Sequence, residues 1–441
     1  MTHYEKYLTT ENYLESLSAG HPATGAKDPN IYITRMRFLL KLAGNPDKRL
    51  KIIHVAGTSG KGTVCNGIYN LMLAAKKRTG LHVSPFVSVS TEKIQANGKF
   101  ISANDFYNLV EEVKPLIAKC EKKFGLPSYF EIWFLLSLKY FEKQKCEFAV
   151  LETGCGGRYD ASNSVFKPVL SIITNVGIDH QKLLGRTIPE IAWQKAGIIR
   201  KNGIVISGAE RLAARKVIEA EAQKQRAKLI FIHDLIDPNT AIVRTAAKLL
   251  GIDFDKLPGD WNEKKLAARF EIMQKNPLVI LDGAHNADKI AYLAERIERG
   301  KRESELSEVS TNGLVLNSLS RLPRPSFNEH VMYNRLHLIV AMTENRNAAT
   351  CFKPLLKIAD KIYCTQFINP FRKSTKPETL AKKLKSNLFY DSAEQALKEA
   401  MQNAGKYDLI LVTGSFFLCS DLRKLWIDEI TQVKKRTNFI N

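Results

Sequence analysis

Short apolar runs, each closed by glycine or a polar turn, recur along the first half of the chain and alternate with segments of helical apolar spacing. Residues 52–56 (Ile-Ile-His-Val-Ala), 80–83, 148–151, 169–174, 204–207 and 229–232 are short and rich in β-branched side chains. Strands buried on both faces of a parallel sheet have that character. Helical spacing fills the intervals: after residue 61, over 102–124, 129–141, 188–196, 210–226 and 239–250. Ser102 followed by Asp105 resembles a capping box at the second of these, and Glu131 sits in the aromatic first turn of the third. The first 50 residues read as polar helices, with an arginine-rich one over 32–42 leading through Gly44-Asn45-Pro46 into the first strand. Residues 88–102, turn-rich around Asn97-Gly98, read as a surface loop or a hairpin.

After a charged stretch through Arg269-Phe270-Glu271 the pattern restarts at Pro277, with a strand over 278–281, the loop Asp282-Gly283-Ala284-His285-Asn286 and a helix. Further strands fall at 336–340, 361–364 and 409–412, and a last helix follows Gly414-Ser415. Residues 300–335, rich in Ser and Asn with Pro323 and Pro325, show no sustained period and read as an insertion or mobile loop. Strands alternating with helices mean right-handed βαβ units. The expected fold class is α/β: a P-loop-type, mostly parallel sheet domain over 1–272 and a second, smaller Rossmann-like α/β domain over 273–441, divided near Met273.

The chemistry centres on Gly57-Thr58-Ser59-Gly60-Lys61-Gly62-Thr63, between the first strand and its helix. Glycines let such a loop turn its amides inward, and the helix N-terminus adds partial positive charge, so a phosphate chain fits. Lys61 would supply a point charge and Thr63 a hydroxyl for Mg²⁺, although a strict P-loop places Ser or Thr directly after the lysine and here Gly62 intervenes. Ligands in open α/β sheets sit beyond the carboxyl ends of strands. Glu152, Asp179 and His180 also fall at such ends. Singly, a strand-end glutamate is usually solvated and a loop histidine usually packs; shared location is what makes them metal candidates. These residues reach a Mg-ATP enzyme of two α/β domains and no further.

Composition adds little. The 66 Lys and Arg against 45 Asp and Glu give a charge of +21, which favours anionic partners such as nucleotides, polycarboxylates or nucleic acid. The seven cysteines are odd in number, scattered and without a C-x-x-C pair, so neither a disulfide framework nor a zinc site is indicated. The N-terminal residues lack an apolar signal core, and the longest apolar stretch, 132–138, is too short to span a bilayer. The cytoplasm, with no membrane partner, is the expected setting.

Read as words, His54-Val55-Ala56-Gly57-Thr58-Ser59-Gly60-Lys61-Gly62-Thr63 resembles the phosphate loop of the folylpolyglutamate synthase/dihydrofolate synthase family, within the Mur-ligase superfamily. So do Ser84-Pro85-Phe86, the run from Glu152-Thr153-Gly154-Cys155-Gly156-Gly157-Arg158-Tyr159-Asp160 to Asn163, and Thr174-Asn175-Val176-Gly177-Ile178-Asp179-His180. Lys195-Ala196-Gly197-Ile198-Ile199, Arg269, Leu281-Asp282-Gly283-Ala284-His285-Asn286 and Thr413-Gly414-Ser415 follow in the family's order. The resemblance implies an ATP-dependent ligase that activates a folate or dihydropteroate carboxylate as an acyl phosphate and joins it to L-glutamate.

It further implies that Lys61 contacts the β- and γ-phosphates, that Thr63 and Glu152 ligate one Mg²⁺ and His180 a second, and that Lys195 is the family's carbamylated lysine. Asn239 would lie on the adenine side, Arg269 at an interdomain phosphate contact, and Asp282 and His285 at the ribose and nucleotide. Ser84 and Asp160 belong to stretches associated with the folate site, glutamate is expected between the domains, and a monomer is expected. The chain departs from the pattern at Ser59, commonly asparagine, and at Leu235 and Ile236, where the family has His-Gln. It departs again at Asn345-Arg346-Asn347, where the family has Asp-Lys-Asp, and it runs from Ile232 to Asn239 without the family's longer accessory strands. Two other readings are a Mur-type ligase for a different acid and a non-catalytic nucleotide or nucleic-acid binder. Against nucleic acid, aromatic residues are not interleaved with the basic ones.

Overall fold

The computed structural model describes residues 1–19, 28–234, 237–310, 331–344, 346–369 and 372–438. The chain divides into two compact units, Met1–Lys264 with Glu429–Asn441, and Lys265–Asp428.

In the first unit, α1 (His3–Ala19) and α2 (Asn30–Leu42) precede β1 (Lys51–Ala56), α3 (Lys61–Ala74) and β2 (Thr79–His82). A hairpin of β3 (Ile94–Ala96) and β4 (Lys99–Phe100) leads to α4 (Ala103–Phe124), α5 (Tyr129–Lys143) and β5 (Phe148–Glu152). Then come β6 (Leu170–Ile173), the short α6 (Gln181–Leu184), α7 (Ile188–Ala196), β7 (Ile204–Ser207), α8 (Leu212–Lys224), β8 (Lys228–Phe231) and α9 (Pro238–Leu249). The eight strands order as β4-β3-β2-β5-β1-β6-β7-β8. All pairings are parallel except those of β3 and β4.

β1 and β5 lie centrally, which is why their apolar runs are continuous rather than alternating. One core joins α1, α2, α4 and α5 with the β3–β4 hairpin, and another joins α7 and α8 with β6 and β7. Residues 88–102 do form a hairpin, but not a surface one: Ser90, Thr91, Glu92, Lys93 and Gln95 are buried. The Glu92 carboxylate makes this tolerable by accepting the amides of Val87, Ser88 and Val89 at 2.8–3.1 Å. Glu131 likewise turns inward, where it caps α5 through Ser128 and takes both Arg35 Nε and Nη2 from α2. The pair is buried and fully hydrogen-bonded, so breaking it costs far more than its net worth.

The second unit holds β9 (Glu271–Lys275), β10 (Leu278–Leu281), α10 (Ala287–Ser310), β11 (Leu336–Val340), α11 (Ala348–Leu356) and β12 (Lys361–Cys364). It continues with α12 (Pro377–Leu384), β13 (Leu388–Phe389), α13 (Ala393–Asn403), β14 (Leu409–Thr413) and α14 (Phe416–Arg423). Its six strands order as β13-β12-β11-β14-β10-β9, with β9 antiparallel at one edge. α15 (Glu429–Lys435) returns to the first unit.

The expected division near Met273 therefore falls inside β9, and the chain changes unit at Lys264 instead. β9 is a half-exposed edge strand of mixed polarity, so it does not read as an apolar run, and its hairpin partner β10 does. The end of the chain also belongs with the first unit, contrary to the 273–441 expectation. Residues 300–310 continue helix α10 rather than beginning a structureless insertion, while 311–330 lie outside the described residues, as do Leu235, Ile236 and Asn345.

Candidate active site

β1 carries the chain into a loop with no room for side chains at two positions. Gly57 has φ +156° and Gly60 φ +78°, in the range that favours glycine. A Cβ on Gly57 would lie 1.8 Å from the Thr174 hydroxyl oxygen, and one on Gly60 2.6 Å from Asn239 Oδ1. The loop is thus threaded between the end of β6 and the first turn of α9. Asn175 Oδ1 accepts the amides of Thr58 and Ser59 at 3.1 and 2.8 Å, and its Nδ2 donates to Ser59 Oγ. Thr174 donates its hydroxyl to the Ser59 carbonyl at 2.6 Å, and Gly177 N–H donates to Thr58 Oγ1 at 3.0 Å.

Lys61 opens α3, and its Nζ bends back to donate to the Gly57 carbonyl at 3.0 Å. No side chain caps α3, so its first amides remain available to an anion, with the half-buried Thr63 in the same turn. This part of the expected ATP site, Gly57 to Thr63 with Asn239, comes together in one place.

Glu152 ends β5 beside β1, in register with Val55, and is buried. Its Oε2 accepts the Ser84 amide at 3.0 Å, which brings the Ser84 stretch to the same sheet end. Asp160 is buried, and burial pushes its carboxyl up from the usual range; amide and hydroxyl donors from Gly154, Cys155 and Ser162 oppose this.

Lys195, in the last turn of α7, is also buried. Desolvation first, and then the charge of Lys61, lower its ammonium to about 7, while Cys155, Asp179 and Asp160 pull the other way. Burial, first of all, pushes the Cys155 thiol up to about 11. His180 stands on a left-handed residue, φ +48°, at the start of α6. Its side chain is half exposed, and its amide donates to Asp179 Oδ1 at 2.9 Å. The loop carrying it is tied to the phosphate loop through Gly177 and faces Lys195 through Asp179.

Among the described residues, no group of three or more His, Cys, Asp and Glu side chains is placed to hold a metal. A buried carboxylate and a helix-start hydroxyl are hard oxygen donors, and so few of them suit Mg²⁺, which keeps waters and takes phosphate oxygens.

Arg269, Asp282 and His285 lie in the second unit and form a cluster of their own. Arg269 sits between two left-handed residues, Ala268 at φ +50° and Phe270 at φ +53°. Its guanidinium stacks 4.0 Å from the Phe416 ring centre. Asp282 holds this kink by accepting the Phe270 and Ala284 amides at 2.9 and 2.8 Å. His285 Nδ1 lies 2.7 Å from the Gly283 carbonyl, which can only accept, so Nδ1 carries the proton and Nε2 accepts from Lys289 at 3.2 Å. Arg346 donates to the His285 carbonyl at 2.8 Å, and Asn347 caps α11 through the Thr350 amide.

Comparison with known proteins bears directly on this arrangement. Residues 55–234 match the Mur ligase middle domain, and residues 318–425 match the dihydrofolate synthetase C-terminal domain. The chain is 28% identical to the dihydrofolate synthase/folylpolyglutamate synthase of Bacillus subtilis (strain 168), over 88% of this chain and 94% of that protein. Over most of its length the chain is similar to the folylpolyglutamate synthase/dihydrofolate synthase family. Its fold matches that of Mycobacterium tuberculosis folylpolyglutamate synthase complexed with ADP, with a TM-score of 0.79 at 22% identity, covering 96% of this chain and 99% of that one. Escherichia coli FolC in complex with DHPP and ADP gives a TM-score of 0.75 at 24% identity, covering 94% and 97%.

Against the family's pattern, the departure at Ser59 is absorbed locally, since its hydroxyl takes the Asn175 amide. The shortened passage to Asn239 is also real: β8 ends the sheet at Phe231 and α9 begins at Pro238. Sequence reasoning gave no role to Thr174, Asn175 or Arg346, whose side chains act only once loops distant in sequence meet. It also missed Lys93, buried with Nζ donating to Tyr129 OH at 2.8 Å among the rings of Phe86, Tyr129 and Trp133 at 4.1–4.6 Å. Burial lowers that ammonium to about 7. No helix among the described residues is long and apolar enough to cross a membrane.

Proposed function

We propose that this chain is an ATP-dependent amide ligase that adds L-glutamate to the carboxylate of a folate or dihydropteroate. The observation that supports it most is the convergence of the glycine loop, Lys61, Glu152 and Lys195 on one sheet end. The acceptor carboxylate oxygen attacks the γ-phosphorus of ATP, the bond to the β,γ-bridging oxygen breaks, and ADP leaves. The glutamate amine then attacks the acyl carbon; phosphate departs with the C–O bond and the amine loses its proton to solvent.

In this reading Lys61 Nζ exchanges the Gly57 carbonyl for the β- and γ-phosphates, and the amides opening α3 receive phosphate oxygens. Asn239, against Gly60, would serve the adenine side, and Arg269, Asp282 and His285 of the second unit would contact phosphate and ribose. Thr63 and Glu152 would hold one Mg²⁺ and His180 a second. The ions would neutralise charge on the triphosphate. Lys195, with its ammonium near 7, has enough neutral amine at mild alkaline pH to take up CO₂ as a carbamate. Ser84 and Asp160 would serve the acceptor. The reading carries with it a cytoplasmic monomer.

The test is a coupled ADP assay across folate and dihydropteroate acceptors, with and without glutamate. ADP release is expected only when acceptor and glutamate are both present, and Lys61→Ala should reduce it at least about a thousandfold. Activity unchanged by that substitution would reject the assignment, and turnover with an unrelated acid alone would move it to another branch of the superfamily.

A further inference from the structure

His54 lies in the middle of β1, fully buried, one turn of chain before the phosphate loop and with no part in it. Its Nε2 is 2.8 Å from Ser162 Oγ, and Ser162 in turn donates its hydroxyl to Asp160 Oδ1. Asp160 Oδ1 also accepts the Ser162 amide at 2.9 Å, while Oδ2 accepts the Cys155 amide at 2.8 Å. Donors on both oxygens are what an ionised carboxylate takes. A serine has a single hydroxyl hydrogen, and here it points at the carboxylate, so His54 Nε2 must be the donor to Ser162. His54 Nδ1 is then a bare lone pair. It is indeed buried with no hydrogen-bond partner among the described residues. The opposite tautomer would bury an orphaned N–H, which native structures rarely do.

We infer that His54 and Ser162 are positioning residues: a one-way hydrogen-bond chain, His54 Nε2–H to Ser162 O–H to Asp160, that fixes the Asp160 carboxylate and with it the loop from Gly154 to Asp160. The inference rests on the reading that this loop serves the folate-type acceptor. Elsewhere the loop is tied to α7 and α8, where Arg158 N–H donates to the Gln194 carbonyl at 2.6 Å and its Nη2 donates to Glu221 Oε2 at 2.8 Å; the Asp160 end is tied to β1 through Ser162 and His54. The chain anchors it to the strand that presents the phosphates. Acceptor and nucleotide are thereby set against a common rigid element, as joining two substrates requires.

Two measurements test this. In protein labelled with ¹⁵N-histidine, His54 should show a pyrrole-type Nε2 and a pyridine-type Nδ1; the reverse assignment overturns the chain's direction. In steady-state kinetics, Ser162→Ala should raise KM for the acceptor about tenfold, the scale of one lost hydrogen bond to a charged group. KM for ATP should stay within about twofold, and Ser162→Thr, which keeps the hydroxyl, should restore the acceptor KM. An unchanged acceptor KM in Ser162→Ala, equal rises in both KM values, or no recovery with threonine would overturn it. If no folate acceptor turns over at all, the proposed function fails by itself, and the hydrogen-bond chain stands or falls on the NMR assignment, which needs no acceptor.

Discussion

Two glycines and two histidines show how single positions constrain this protein. Gly57→Ala places a methyl group on the Thr174 hydroxyl, and the strand end cannot give way by the distance required. Gly60→Ala meets only the Asn239 amide, which can rotate, so its cost is mainly the left-handed backbone, about 1–2 kcal/mol. Thermal denaturation should therefore show a modest loss for Gly60→Ala and a much larger one for Gly57→Ala, with KM for ATP raised in both. His54 and His82 act through pH. His82 Nδ1 must donate to Ser137 Oγ, because Ser137 already donates to the Trp133 carbonyl. Its Nε2 is left between the rings of Phe130 and Phe134. Burial, first of all, lowers both imidazoles to about 3.

An unfolded histidine takes up a proton near 6.5, whereas the folded ones refuse it until about 3. Stability is thus fully present above pH 6.5 and falls as pH drops through that window, by about 1.4 kcal/mol per pH unit for each histidine. Urea unfolding followed from pH 7 to 4 should show this loss, and His82→Leu should remove about one proton's share of the slope. A slope unchanged in the variant would contradict a neutral His82. None of this was legible in the sequence, where His54 and His82 are merely residues within apolar runs. Lys61, Thr63 and Glu152 were legible because glycine spacing and strand ends mark them without any partner being known.

At the level of elements, what could be read was whatever carries its own period. β7, β11 and β12 coincide with the expected runs to the residue, since buried parallel strands are apolar on both faces. β9 was missed because an antiparallel edge strand is half wet, whereas α11 and α13 carry ordinary N-caps, Asn347 and Ser392, that the reading passed over. The 88–102 segment left a surface loop and a hairpin both open because its buried polar residues meet partners distant in sequence, Ser90 at Tyr7 and Lys93 at Tyr129, which composition does not reveal.

α9 shows an element serving the site. Asp237 caps it, accepting from both the amide and the hydroxyl of Thr240, and so fixes the turn that sets Asn239 against Gly60. Asp237→Ala should cost about 1 kcal/mol in stability. It should also raise KM for ATP several-fold while leaving the acceptor KM in place. Equal effects on both would mean that the cap supports the fold in general and not this contact.

For the molecule as a whole, the consequential feature is that the chain leaves its first unit at Lys264 and comes back at Glu429. The returning segment does more than lie on the surface. Arg436 adopts a left-handed backbone, φ +61°. Its Nε donates to the Phe100 carbonyl at 2.7 Å, and its own carbonyl accepts the Phe100 amide at 3.0 Å. Its Nη2 reaches Tyr140 OH at 3.1 Å. Phe100 belongs to β4, the outermost strand on that side of the sheet, so the segment satisfies backbone groups that an open edge would expose. Near the other end of the chain, Tyr4 OH donates to Glu429 at 3.3 Å.

Removing residues 429–441 should therefore weaken the first unit selectively. Calorimetry should show the transition of that unit moving down, with that of residues 265–428 unmoved, and hydrogen exchange at Phe100 should accelerate. Arg436→Ala is the milder form of the same test, deleting the two guanidinium bonds but not the backbone one, for an expected loss of about 1–3 kcal/mol. Glycine at 436, which tolerates the left-handed backbone, should cost less than alanine there, although both lose the guanidinium. If the truncation instead shifted both transitions equally, or left Phe100 exchange unchanged, the segment would not be part of the first unit's fold, and the edge of that sheet would have to be closed in some other way.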